Sequence, residues 1–318
     1  GFIFFYYFTV SSLFEDFRMF FFRPSNFSYH EFLFNLGIFF LTIGLFMKLY
    51  ISPFHWWILD VYEGSPSITT LFFSTVPYIC FFFILYKIYF IIFLGNFFYY
   101  WFYFLLGSLL SMFIGSIGAL LQKRIKRLIG YSSIGVIGYT LTIFLENYNF
   151  NYLEGIQLLF VYSICVFILF SFFFNINCVY LKKGFFLFIE YIEDIYLLRK
   201  LECNKAGKYL LSLGFYGILG LPPMSLFFQK FNLIKNIGIS SNWFISFFFV
   251  LSSILSGFYY LYVIKEVFYH SFIYNTYRET MLYSLSFYNI ITYLMFIFLF
   301  FEFYYLLTGC NFNFFIIH

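Results

Sequence analysis

FLFNLGIFFLTIGLFMKLYISPFHWWILDVY, residues 32–62, is the stretch that decides the fold. A bilayer core about 30 Å thick needs roughly 20 apolar residues to span it as a helix, and this run exceeds that. Yet Lys48 falls close to its middle and Pro53 follows five residues later. Proline removes a backbone donor and interrupts a helix. Irregular backbone at membrane depth is tolerated only where protein or a water-lined cavity surrounds it. A charge at the bilayer centre costs at least about 2.5–3.5 kcal/mol and usually marks function. His55, Trp56, Trp57 and Asp60 come directly after the proline. The stretch therefore reads as a proton site beside a broken helix. Alternatively, it is an interfacial PFHWW loop whose tryptophans sit in an aromatic belt.

A second stretch repeats the pattern. KYLLSLGFYGILGLPPMSLFFQKFNLIKN, residues 208–236, breaks at Pro222-Pro223 and carries Lys230 in its interior. Paired, Pro-interrupted hydrophobic segments in separate halves of a chain point to a transport site built from repeats. Lys48 precedes its proline whereas Lys230 follows its pair. Burial disfavours the charged form of a lysine, so such a residue can load and release a proton. Lys87 lies near the end of its own segment, where its stem reaches the headgroups.

Composition agrees with lipid as the solvent. The 318 residues are 63% hydrophobic and 10% charged, with mean hydropathy +0.88, against roughly 45–50% and 25% in soluble domains. Aromatic residues reach 30%, while alanine occurs only at Ala119 and Ala206. Phe, Tyr, Ile and Asn have A/T-rich codons, so the bias reads partly as an A/T-rich organellar genome. A net charge of +4, dispersed along the chain, does not suit a nucleic-acid binder. Cys80, Cys165, Cys178, Cys203 and Cys310 show no C-x-x-C spacing, which argues against zinc or iron–sulfur ligation. No phosphate-binding glycine motif occurs. The chain is expected to bind no cofactor of its own. The first segment is apolar without a cleavage site, so a signal peptide is not expected.

Nine segments are long and apolar enough to cross: 2–22, 32–62, 67–93, 97–121, 128–146, 153–174, 208–236, 242–268 and 284–307. Their continuous runs differ from the alternation of a membrane β-barrel. The expected class is thus an all-α polytopic membrane protein with two broken helices. Residues 175–207 hold the longest polar stretch and read as an interfacial amphipathic segment. Even-numbered connections carry twelve Lys and Arg, including Lys123, Arg124, Lys126 and Arg127, and odd ones carry Arg18, Arg23 and Lys235. By the positive-inside rule the N-terminus starts inside and the C-terminus ends outside. Lys123–Arg127 reads as a solvated inner loop, with cardiolipin as an alternative ligand. Glu302 reads as interfacial.

Three blocks carry a resemblance. PFHWWILDVYEGSPSITTLFFSTVP (53–77), LLQKRIKRLIGYSSIGVIGY (120–139) and GILGLPPMSLFFQKF (217–231) resemble, in order, three motifs of one family. It is the NADH dehydrogenase subunit 2 family, antiporter-like membrane-arm subunits of respiratory complex I. Family members have fourteen helices in two inverted five-helix repeats, with the seventh and twelfth discontinuous. On that pattern the chain resembles helices six to fourteen and lacks the first five. One membrane domain, 1–318, would then hold a remainder of the first repeat (1–22 to 67–93), a second repeat (97–268, with interfacial segment 175–207) and a final helix (284–307).

The resemblance implies proton translocation coupled to quinone reduction elsewhere, in the mitochondrial inner membrane, with the N-terminus in the matrix and the C-terminus in the intermembrane space. NADH, flavin, iron–sulfur clusters and quinone would belong to other subunits of NADH:ubiquinone reductase. The family lysines map to Lys48 and Lys230, with His55 beside the first break. The eighth-helix lysine is Tyr78 here, and the histidine of the YSSI block is Val136. A phenol holds its proton until about pH 10, so Tyr78 is a weak carrier that still hydrogen-bonds to water. Asp60 and Glu63 order the chain after the first break, with a lesser role at the inner proton opening. On that pattern the fifth-helix glutamate is missing with its helix, and Glu15 and Asp16, near the outer end of the first segment, are not expected to replace it. A separate chain supplying about five helices, and other membrane-arm subunits, are the expected partners. The alternatives are a structural, non-pumping subunit and a cation/proton antiporter.

Overall fold

The computed structural model describes residues 28–92, 97–145, 152–182, 205–222, 224–239 and 242–268. Among the described residues the chain is helical, with no strand. In order the helices are α1 (Ser28–Lys48), α2 (Trp56–Gly64), α3 (Ser67–Ile92), α4 (Phe97–Leu120), α5 (Ile125–Leu141), α6 (Tyr152–Lys182), α7 (Lys205–Leu219), α8 (Ser225–Ile239) and α9 (Trp243–Phe268). A 3₁₀ turn, Thr142–Leu145, extends α5. Five stretches among the described residues, within α3, α4, α5 with its turn, α6 and α9, are long and apolar enough to span a membrane unbroken. The protein is a multi-pass, all-α membrane protein.

Each interrupted sequence stretch becomes two helices. Residues 32–62 divide into α1 and α2, and residues 208–236 into α7 and α8. The expected segments 2–22 and 284–307 lie outside the described residues. Of the interfacial stretch, 175–182 continues α6, and 183–204 lies outside them.

Lipid reverses the usual polarity of a helix face. Along α9 the outward positions Phe244, Phe247, Ile254 and Phe258 are exposed, while Ser252 and Ser256 point inward. On α4, Phe102, Leu106, Leu110 and Ile117 are exposed, while Ser108, Ser111 and Ser116 are buried. Each of these serines donates to a carbonyl three or four residues earlier. Hydrocarbon offers no partner for a hydroxyl, so the serines face protein.

The centre of the bundle is α5. From Leu128 to Leu145 every residue is buried except Tyr131. Its most extensive neighbour is α4, and α2, α6 and α9 also touch it. The contact with α4 is nearly backbone to backbone. A Cβ on Gly115 would lie 2.5 Å from the Gly135 nitrogen, and one on Gly138 would lie 2.8 Å from that of Met112. Small residues at helix contacts are how membrane helices gain dispersion energy without a hydrophobic drive.

Gly115→Ala forces α4 and α5 apart, and overpacking of this kind costs about 1–3 kcal/mol. The expected result is a lower melting temperature in detergent, whereas Gly44→Ala, with open space around it, leaves melting unchanged. Gly220 holds φ at 73°, a conformation costing an L-residue about 1–2 kcal/mol. Gly220→Ala should lower the melting temperature as well, and Gly220→Asn should lower it less.

Candidate functional site

At the first break, α1 ends in a Schellman-type turn. The amide of Ile51 donates to the Phe46 carbonyl at 2.9 Å and that of Tyr50 to Met47 at 3.3 Å. The left-handed position of such a turn favours glycine, yet Tyr50 occupies it, at φ 45°. The Trp57 indole donates to the Met47 carbonyl at 3.0 Å, tying α2 to the end of α1. Tyr50 projects inward, 2% exposed, and its ring stacks on that of Tyr78 at 5.8 Å and 12°. Lys48 faces the other way and is exposed, as are Met47, Trp56 and Pro53. His55 is buried, stacked on Trp56 at 5.3 Å and tilted against Tyr131 at 6.5 Å.

The second break ends α7 more simply. The Gly220 amide donates to the Tyr216 carbonyl at 3.2 Å, and α8 begins at Ser225. Pro222 is exposed; Pro223 lies outside the described residues. Lys230, on α8, folds back across the gap and its Nζ donates to the Leu219 carbonyl at 3.3 Å. It is 8% exposed and lies 5.4 Å above the ring of Tyr139. Three effects thus favour its charge: a carbonyl, the negative end of the α7 dipole, and an aromatic face.

Lys230 opens onto a cavity of about 10 Å³, close to the space one water molecule needs. Ser116, Ser132, Ser256, Tyr139, Tyr259 and Tyr260 supply its other polar lining. Val136, the position matched to a histidine, is also in its wall. Among the described residues no carboxylate borders it.

Between the breaks runs a band of buried phenols that the sequence did not single out, Tyr78 excepted. Tyr50, Tyr62, Tyr78, Tyr162 and Tyr260 are the fully buried tyrosines among the largest core side chains. The Tyr78 hydroxyl donates to the Ser133 carbonyl at 3.3 Å, and its ring meets that of Tyr162 at 6.0 Å. The Tyr162 and Ser132 hydroxyls are 3.1 Å apart. The Tyr62 hydroxyl lies among those of Ser133, Tyr50 and Ser74, without closing a hydrogen bond of good geometry.

Asp60 and Glu63 meet the basic loop instead of the tyrosines. Arg124 and Arg127 both pair with Glu63, and Arg127 lies 3.7 Å from the exposed Asp60. Lys126 donates to the Ser65 carbonyl at 2.7 Å. The stretch expected as a solvated loop therefore ties the end of α2 to the start of α5, with Lys123 exposed. Spacing offered no sign of this pairing, because about sixty residues separate the partners. Among the described residues no group of three or more His, Cys, Asp or Glu converges as metal ligands do.

The structure thus gathers Lys230 and the phenols around α5. It keeps His55 at the first break and leaves Lys48 on the exposed side. A profile described as NADH:quinone oxidoreductase/Mrp antiporter, TM, matches residues 1–256. NADH-quinone oxidoreductase subunit N of Pelagibacter ubique is 35% identical over 240 residues, which are 74% of this chain and 48% of that protein. NADH-ubiquinone oxidoreductase chain 2 of Marchantia polymorpha is 31% identical over 234 residues, 74% of this chain and 45% of its own. The chain spans about half the length of these curated relatives. Among solved structures, respiratory complex I from Thermus thermophilus matches with TM-score 0.67 at 23% identity, over 97% of this chain and 62% of that one. A membrane-bound sulfane sulfur reductase, an archaeal respiratory complex, matches with TM-score 0.70 at 18% identity, over 84% and 52%. These likenesses speak for the fold, the profile for the lineage: the chain belongs to the NADH:quinone oxidoreductase/Mrp antiporter family of transmembrane subunits.

Proposed function

We propose that this chain moves protons across the mitochondrial inner membrane as a membrane-arm subunit of NADH:ubiquinone oxidoreductase. The observation that carries the proposal is Lys230, buried at a helix break, bonded to the Leu219 carbonyl and facing a cavity the size of one water. A lysine there is expensive unless its charge is used. Protonated, it is held by the carbonyl, the helix terminus and the Tyr139 ring. Deprotonated, its lone pair can accept from a hydroxyl in the cavity wall. A small change in the surrounding field shifts the balance, which is how quinone reduction in other subunits would drive it. His55 and Lys48 would extend the route at the first break, with Asp60 and Glu63 at its inner opening.

Lys48 is exposed among apolar neighbours, so an adjoining helix with a carboxylate is the partner that suits it. A helix of an adjoining membrane-arm subunit fits that face. The matrix side would then hold the Glu63–Arg124–Arg127 cluster, with the N-terminus on the same side and the C-terminus in the intermembrane space. Pairing within the cluster leaves Lys123 as the exposed contact for a cardiolipin phosphate.

Tyr78 and Val136, standing where the resemblance leads to a lysine and a histidine, favour a second reading as a structural, non-pumping subunit. A cation/proton antiporter is less favoured, because the described residues around the Lys230 cavity include no carboxylate, and hard cations require oxygen ligands with charge among them.

Lys230→Arg keeps the charge but holds its proton. In sealed vesicles containing the assembled complex, it should lower the protons moved per NADH oxidised, as should Lys230→Met. Lys48→Met should lower the same ratio. An unchanged ratio in all three variants points to the structural reading instead.

A further inference from the structure

Two helix ends in this bundle carry charges of the sign their own dipoles disfavour. A helix N-terminus favours acids and a C-terminus favours bases. Yet the first turn of α5 holds Lys126 and Arg127 with no acid, and the last turn of α2 holds Glu63 with no base. Arg124, at the N-cap of α5, makes no side-chain cap either. Local rules are broken in this way where a distant partner or a function compensates.

Each end supplies what the other lacks. Glu63 pairs with Arg124 and Arg127 at the start of α5, which gives that terminus its negative charge. Lys126 donates to the Ser65 carbonyl at 2.7 Å, which gives the end of α2 its positive one. We propose that Glu63, Arg124, Lys126 and Arg127 form a mutual cap that holds α2 along α5 and thereby seats His55 at the first break. His55 is the N-cap residue of α2, so it stands at one end of a nine-residue helix whose other end the cap fastens. Glu63 is then a positioning residue at the inner opening, a fixed counter-charge and not a carrier. That the seat of His55 matters to proton movement rests on the reading above; the seating itself does not.

Contacts along α2 carry the hold of the cap to the imidazole. A Cβ on Gly130 would lie 2.6 Å from the Tyr62 ring and 3.2 Å from Leu59, so α2 packs onto α5 where only a glycine leaves room. The next residue of α5, Tyr131, presents its ring to His55 at 6.5 Å. That ring is itself pressed against α4, where a Cβ on Gly118 would collide with it. His55 is buried between Tyr131 and Trp56. Among the described residues no hydrogen bond of good geometry holds its buried Nδ1, so the ring depends on the docking of α2 for its place. Asp60, exposed and 3.7 Å from Arg127, stands at the edge of the cap.

The test is the rate at which diethyl pyrocarbonate labels His55 in vesicles holding the assembled complex, read by mass spectrometry at one neutral pH. Labelling is counted per assembled molecule, so a lower yield of complex leaves the rates comparable. Glu63→Gln and Arg124→Glu should each speed labelling about two- to fivefold, the opening that loss of a partly exposed ion-pair network allows. The double variant Glu63→Arg with Arg124→Glu re-forms a pair and gives each helix end a charge of its favoured sign. It should return labelling to near the unaltered rate. Gly214→Ala overpacks α7 against Leu169 of α6, away from α2, and should lower the melting temperature without speeding labelling. Unaltered labelling in both single variants, or a double variant labelled as fast as they are, overturns the cap. Faster labelling in Gly214→Ala overturns it too, because the reagent then reports general loosening. Protons moved per NADH oxidised, measured on the same vesicles, test the earlier reading separately. Faster labelling with an unaltered ratio keeps the cap and removes His55 from the route.

Discussion

Hydrocarbon offers no hydrogen bond to a helix that stops partway, so each interruption in this bundle has to be closed by the protein itself. The rest of the structure follows from that constraint. At the first break the last carbonyls of α1 are taken by a tight backbone turn and an indole. At the second, a left-handed glycine and a lysine side chain do the same for α7. Because these closures need nearby donors, both breaks are drawn against the protein interior, and the polar residues around them are brought in as well.

The interior they meet is α5, a helix poor in bulky side chains on the side facing α4. Its glycines let two backbones touch, which brings its serines and the Tyr139 ring close to the surrounding helices. The outer helices turn Phe102, Phe244, Phe247 and Phe258 to lipid and Ser108, Ser111, Ser252 and Ser256 inward. Apolarity therefore does little to define the core here. What defines it is the placement of the few groups that lipid would reject.

Much of this was legible in the residues. Pro53 and Pro222-Pro223 located both breaks, and the continuous apolar runs gave the helices between them. Lys230 stood out because a charge inside an apolar run has few innocent explanations. Lys48 stood out for the same reason, but which way it faces depends on the turn at Tyr50, and no spacing rule places a tyrosine in a left-handed position. Glu63 and Arg127 belong to distant blocks, so their pairing required the packing of α2 on α5. The buried tyrosines were the least legible. Among 32 tyrosines in an aromatic-rich chain, nothing in the sequence separates a phenol in the core from one at the lipid surface. Only burial distinguishes them.

The two closures also differ in chemical kind. The indole N–H of Trp57 does not ionise at any ordinary pH, so its bond to α1 does not depend on pH. The ammonium of Lys230 grips α7 through a bond whose strength depends on its own proton. One joint of the bundle is therefore permanently fastened. A neutral amine donates to the same carbonyl more weakly than an ammonium, so of the two joints this is the one whose strength depends on a proton.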